Sequence, residues 1–133
     1  MKPILVTGKR KKSIARAVAI PGSGVIRINR MLISAIEPKM LRLKMSEPLI
    51  IAGDQALTMD ININVNGGGI AGQSDAVRLA IAKAIIEFTK DKKLEKTFLD
   101  YDRHMLVADV RQREARKPNT HGNARGKTQK SYR

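Results

Sequence analysis

Cations dominate the chemistry that this sequence offers. Residues 110–133 hold Arg111, Arg113, Arg116, Lys117, Arg125, Lys127, Lys130 and Arg133 against one acid, Glu114, with almost nothing apolar to fold on. A second group, Lys9, Arg10, Lys11 and Lys12, followed by Arg16 and Arg30, stands near the start. Clustered cations bind a phosphate backbone by releasing its condensed counterions, so both ends have the footprint of a nucleic-acid binder. Residues 1–36 contain no acid, whereas residues 37–109 carry ten basic and eleven acidic side chains and are close to neutral. The net charge of +14 therefore belongs to the two ends. A membrane is the other common polyanion, but a surface-seeking helix alternates its cations with bulky apolar residues. The tail has neither that period nor those residues, so no membrane partner is expected.

Gly67, Gly68 and Gly69 precede a helical pattern, and N–H groups at a helix N-terminus can cradle an anion. The Gly-Lys-Ser/Thr ending of a nucleotide loop is missing, as is the Rossmann spacing, so no small-molecule substrate is expected there. Three residues without a Cβ suit a flexible turn, and also a place where backbone can approach an RNA phosphate closely. His104 and His121 could form an acid and base pair for phosphodiester cleavage, but nothing in the sequence holds one against the other. Asp100 and Asp102, without further ligands nearby, read as a solvated acidic turn. The chain has no cysteine, which removes disulfides, thiolate metal sites and a cysteine nucleophile. No catalytic constellation emerges, and neither an enzyme nor a cofactor is expected. The four aromatic residues, Phe88, Phe98, Tyr101 and Tyr132, are too few for a base-stacking platform, and Phe88 and Phe98 sit in or beside helical patterns as core candidates. Nucleic-acid binding here should rest on phosphates and shape.

The elements that must position these groups follow from punctuation and period. With 133 residues the chain has room for one domain, expected over residues 1–110, with residues 111–133 as a basic tail lacking periodicity and disordered until bound. Uninterrupted apolar runs reach only four residues, too short for a membrane span. A strand over residues 4–7, a basic turn over 8–12 and a strand with a small-residue face over 14–20 open the domain. Pro21, Gly22, Ser23 and Gly24 then suggest a hairpin to a strand over 25–29. Residues 38–52 read as a helix interrupted near Pro48 and ended by Gly53 and Asp54. Residues 57–66 alternate strictly, which predicts a strand with one buried face. Ser74 or Asp75 can cap a helix in which Val77, Ala80, Ile81, Ala84, Ile85 and Phe88 recur at helical spacing. A helix over 92–99 and a strand-like piece over 105–110 complete an α+β sheet with packed helices.

Two stretches carry a resemblance to a known family. Gly8, Arg10, Lys11, Ser13, Ala15 and Arg16, and then Gly67, Gly68 and Gly69 with Gly72, Gln73, Ala76, Ala80, Ala82 and Lys83, resemble the two marks of small-subunit ribosomal protein S9. The ending Lys130, Ser131, Tyr132 and Arg133 is similar to that of the archaeal and eukaryotic branch. The resemblance implies a structural, cytoplasmic protein of the small ribosomal subunit, bound to ribosomal RNA in the subunit head beside neighbouring ribosomal proteins. It implies an S5 domain 2-like fold with a left-handed βαβ crossover, against the usual right-handed rule. It also implies an extended tail whose end reaches the anticodon stem-loop of peptidyl-site tRNA, with Arg133 as terminal contact and Lys130 beside it. For ribosomal RNA the candidates are Lys9, Arg10, Lys11, Lys12, Arg16, Arg30, Gly67, Gly68, Gly69, Gln73, Arg111, Arg113, Arg116, Lys117, Arg125 and Lys127. A free nucleic-acid chaperone shares the basic ends, and charge alone does not separate it from a ribosomal protein; an enzyme acting on phosphorylated substrates at the glycines lacks its motif residues.

Overall fold

A computed structural model describes residues 2–126. Among these residues the chain forms β1 (Ile4–Arg10), β2 (Ser13–Pro21), β3 (Ile26–Ile28), β4 (Met31–Leu32), α1 (Lys39–Ala52), β5 (Met59–Asn66), α2 (Ile70–Thr89) and α3 (Lys92–Tyr101). Short 3-10 turns occupy Ile33–Ala35, Gly53–Thr58 and Arg103–Met105. The strands make one mixed sheet in the order β1-β2-β5-β3-β4, antiparallel throughout except for the parallel pair β3 and β5. The expected α+β class is observed.

Alternation builds the centre of this sheet. In β5 the residues Met59, Ile61, Ile63 and Val65 are buried under the helices, while Asn62, Asn64 and Asn66 point to the open face. β2 offers the helices only small residues on its buried side, Ser13, Ala15, Ala17 and Ala19, as the alanines of its sequence suggested. Those small side chains let α2 lie almost on the backbone of the sheet. A Cβ on Gly8 would stand 2.2 Å from the Ala76 carbonyl oxygen and 2.8 Å from the Ala80 nitrogen. Pressed between the sheet and α1, α2 buries Val77, Ala80, Ile81, Ala84 and Ile85 on the expected face, and Ala76, Leu79 and Ala82 besides. Full burial of a side chain such as Ile81 or Ile85 contributes about 1.5–3 kcal/mol. Phe98 is fully buried and Phe88 half-buried against the same core.

Five expectations about the elements are corrected. The strand expected over residues 57–66 begins only at Met59, since Leu57 and Thr58 belong to the preceding 3-10 turn and Leu57 is exposed. The hairpin between β2 and β3 does not form, because β5 lies between them and pairs with both. The segment after Pro21 is held instead by Asp60 of β5, whose Oδ1 accepts from the N–H groups of Ser23 (2.9 Å), Gly24 (3.0 Å) and Val25 (2.9 Å). α1 runs through Pro48 without interruption; the ring is buried, and packing outweighs the backbone bond that proline forfeits. α2 starts at Ile70 with Gly69 as N-cap, so Ser74 and Asp75 lie inside it: the Ser74 hydroxyl donates to the Ala71 carbonyl, and Asp75 pairs with Lys44. No strand forms over residues 105–110; a 3-10 turn capped by Asp102 ends at Met105, and irregular backbone follows. Among the described residues no helix is long and apolar enough to cross a membrane.

Candidate nucleic-acid interface

β1 and β2 join in a tight hairpin, with Arg10 opposite Ser13 and only Lys11 and Lys12 in the turn. The basic turn expected over residues 8–12 is therefore shorter, and Lys9 and Arg10 belong to β1. Lys11 takes a left-handed conformation (φ 53°), and both lysines are exposed with no carboxylate within ion-pair distance among the described residues. Against the base of this hairpin lies the glycine turn. The buried Ser13 hydroxyl donates to the Gly67 carbonyl (2.9 Å), and Gln73 Nε2 donates to the same oxygen (3.0 Å). Gly67 and Gly68 have φ of 81° and 64°, and Cβ atoms there would stand 2.6 Å from the Lys12 carbonyl oxygen and 2.2 Å from Ser13 Oγ. These two glycines and Gln73 thus build the contact between turn and hairpin. Gly69 is different: nothing lies within 4 Å of where its Cβ would be. It opens α2 without a side-chain cap, so the first N–H groups of the helix face outward with their partial positive charge.

The start of the tail is tied to the same place through Asp109, an acid inside basic surroundings. Arg111 grips it with two hydrogen bonds from Nε (3.1 and 3.0 Å) and one from Nη2 (2.7 Å), and its own N–H donates to Oδ1 (3.0 Å). Arg10 Nη1 approaches Oδ2 at 2.8 Å from the other side, as an ion pair without aligned hydrogen-bond geometry. The Arg111 side chain and N–H, with the Arg10 charge behind them, hold the Asp109 carboxyl far below the usual carboxylate range. Arg10 also reaches Asp75 on α2 at 3.8 Å, and its side chain is only 19% exposed. It is an internal clamp more than an open cation.

The result is one cleft of about 830 Å³ that brings together Arg10, Lys11 and Lys12 from the hairpin, Gly68 and Gly69 from the turn, and Arg111 and Arg113 from the tail. Ile70, Ala71 and Gly72, the first residues of α2, form its floor. Cations surround a helix N-terminus here, an arrangement that binds phosphate oxygens by charge and by backbone hydrogen bonds together.

A profile of the family described as "Ribosomal protein S9/S16" matches residues 8–133. The chain belongs to the ribosomal protein S9 family. Relatives named "Small ribosomal subunit protein uS9" cover it end to end: one from Methanococcus maripaludis is 48% identical over 134 residues and one from Methanothrix thermoacetophila is 47% identical over 133, each match spanning 100% of both chains. These archaeal sources agree with the branch that the C-terminal ending suggested. Membership in the S9 family makes the chain a ribosomal protein, a structural constituent of a ribonucleoprotein and not an enzyme.

Other residues that the S9 resemblance and the charge pattern singled out lie outside the cleft. The strand register places Lys9 and Arg16 on the open face of the sheet, and Arg30 occupies the turn between β3 and β4. Arg116, Lys117 and Arg125 follow in exposed backbone, where Glu114 pairs with Arg125 (2.7 Å) and Lys117 (3.3 Å). Lys127, Lys130 and Arg133 lie outside the described residues. His104 and His121 share no hydrogen bond; His104 Nδ1 faces the Val107 carbonyl at 3.4 Å. Among the described residues no cluster of acids and histidines could hold a metal ion. Asp102, read as part of a solvated acidic turn, instead joins Arg78 (3.0 Å), which also bonds Glu47 through Nε (2.7 Å) and so ties α1 and α2 to the 3-10 turn. Burial pushes the Asp102 carboxyl up, but the His104 N–H and the Arg78 guanidinium outweigh it and hold it below its ordinary value. Sequence reading missed Asp109 altogether. Its only signal is an acid standing next to the tail that its charge helps to anchor.

Proposed function

We propose that this chain is a structural protein of the cytoplasmic small ribosomal subunit, seated on ribosomal RNA in the subunit head, with RNA phosphates held in the cleft between hairpin, glycine turn and tail. One observation carries the reading: residues from three distant parts of the chain, Lys11 and Lys12, the uncapped start of α2, and Arg111 with Arg113, line a single cationic cleft. The S9 family membership supplies the ribosomal RNA as the phosphate source and neighbouring ribosomal proteins as further partners. The parallel pair β3 and β5, joined through α1, makes a βαβ crossover, and the family resemblance is what assigns it the left hand of the S5 domain 2-like kind.

From the cleft outward, residues 111–133 thread between RNA helices, and the final residues touch peptidyl-site tRNA. A long basic segment enters a crevice that a folded domain cannot, and RNA neutralises its self-repulsion. Ordering it costs about 1–2 kcal/mol of backbone entropy per residue, so it is set in place only within the assembled particle. Arg133 suits the last contact because a planar guanidinium grips phosphate with two parallel hydrogen bonds, and Lys130 adds a point charge beside it.

Two measurements test this. In a lysate at physiological salt the full chain should sediment with the small subunit near stoichiometrically; recovery in light fractions would point to a free nucleic-acid chaperone. Small subunits carrying the chain cut after Gln129 should assemble normally and release peptidyl-site tRNA faster. An unchanged tRNA off-rate contradicts the tail's role and leaves the ribosomal RNA role standing.

A further inference from the structure

The open face of the sheet carries a second set of unpartnered polar groups. Strand register aligns Leu5, Val18, Asn62 and Arg27 in one row and Thr7, Arg16 and Asn64 in the next. Its larger apolar residues, Leu5, Ile14, Val18, Ile20 and Leu32, stand on β1, β2 and β4, whereas the part built from β3 and β5 is polar. There Arg27, Arg30, Asn62 and Asn64 line a depression of about 360 Å³. None of Arg16, Arg27 and Arg30 lies within ion-pair distance of a carboxylate among the described residues, and neither Asn62 nor Asn64 has a side-chain hydrogen bond there. Asp60, the one acid in the strands of this face, is occupied by the three N–H groups of Ser23, Gly24 and Val25.

Arg30 is held in place by its neighbour. Asn29 and Arg30 both take left-handed backbone, with φ of 48° and 69°, a conformation common for asparagine and unusual for arginine. Asn29 secures it by continuing the pairing of β5: its N–H donates to the Ile63 carbonyl (2.8 Å), its Nδ2 to the Val65 carbonyl (3.2 Å), and its Oδ1 accepts from the Val65 N–H (3.0 Å). The turn is fastened on one side so that a cation stands on the other.

We propose that this helix-free face is a second RNA-binding surface, separate from the cleft, which takes the sugar–phosphate edge of an RNA helix. Arg27 and Arg30, flanked by Arg16, hold phosphates; the amides of Asn62 and Asn64, each both donor and acceptor, meet 2′-hydroxyls. The chemistry favours RNA over a protein neighbour, because the centre of a protein interface is depleted of charge and enriched in aromatic side chains, and here guanidinium and amide groups occupy the centre with no aromatic residue. It favours a helix over unstacked bases, because those are read by stacking. Carrying cations on a sheet face and in a cleft beside its hairpin, the body would hold two RNA segments at once.

The proposal rests on the ribosomal reading, and the test separates the two. Full-length chains carrying Arg27→Gln with Arg30→Gln, or Asn62→Asp with Asn64→Asp, are compared with Lys11→Ser with Lys12→Ser for binding to a small-subunit rRNA transcript across a salt series. Each face variant should bind about tenfold more weakly, and removing two phosphate contacts in the arginine variant should lower the log–log salt slope by about 1.5. Combined with the lysine variant, the losses should add, as expected for separate sites. An RNA duplex of roughly 16 base pairs should compete for the face, and oligouridine of equal length should not. Wild-type affinity in both face variants overturns the proposal, as does normal RNA binding together with loss from assembled subunits, which would mark a protein-docking face. Failure of the unaltered chain to bind the transcript overturns the ribosomal reading itself.

Discussion

The two basic ends of the chain carry comparable charge and are held in different ways. At the N-terminal end the cations stand on a hairpin whose base is packed backbone to backbone: Ser13 bonds Gly67, Lys12 lies against Gly67, and Gly8 lies against Ala76 and Ala80. At the C-terminal end residues 107–126 form neither helix nor strand, and apart from the pair of Asp109 with Arg10 their ion pairs stay within the segment, Arg111 with Asp109 and Lys117 and Arg125 with Glu114. The first end is preorganised and the second adaptable, and Asp109 with Arg10 is the point where one is fastened to the other. Charge alone therefore says little about how a phosphate is held. The same run of four basic residues contains Arg10, spent on internal ion pairs, and Lys11 and Lys12, which are open to a ligand.

The sharpest way to break the contrast is to spoil the packing of the rigid end. Gly8→Val should destabilise the domain by roughly 3 kcal/mol or more, because the new atoms meet helix backbone that has no room to yield. Chemical denaturation checks this, and a tail substitution such as Arg116→Ser should leave the same midpoint unchanged. Arg78→Met leaves Glu47 and Asp102 without their shared cation; since both carboxylates are about a third exposed, the expected loss is about 1–2 kcal/mol, read as a lower melting temperature. Acid should loosen both ends together. Asp60 and Asp109 have folded values below their unfolded ones, Asp60 through the N–H groups of Val25, Ser23 and Gly24 and Asp109 through Arg111 and Arg10. Their contribution is therefore complete at neutral pH and is lost as the pH falls below about 4 toward the folded values. A stability profile flat from pH 6 down to pH 2 would contradict it. Smallest in stability is Lys11→Ser with Lys12→Ser, which should leave the unfolding free energy unchanged within about 0.5 kcal/mol while weakening RNA binding, since both side chains are exposed and unpaired.

Local pattern made much of this legible. The alternation of β5, the buried faces of α2 and the alanine side of β2 follow from period and size, and the structure keeps them. Long-range partners were not legible. Pro21, Gly22, Ser23 and Gly24 read as a hairpin turn because the residue that claims their N–H groups, Asp60, lies more than thirty positions away and belongs to the strand that inserts between β2 and β3. Ser74 looked like a helix cap because nothing local shows that Gly67 is pinned to Ser13, which lets the helix begin directly after the turn. In the candidate site the lysines and glycines were visible as types. The division of labour between Gly67 and Gly68, which make the contact, and Gly69, which leaves the helix start open, needed the geometry.

The most direct test of the cleft is ultraviolet cross-linking of purified small subunits, followed by mass spectrometry of the peptides joined to ribosomal RNA. The account predicts cross-links concentrated on the peptides that contain Lys11 and Lys12, Gly69 and Ile70, and Arg111 to Arg113. Cross-links absent from all three peptides and gathered instead on the exposed side of α1, around Met40 and Ile50, would contradict it.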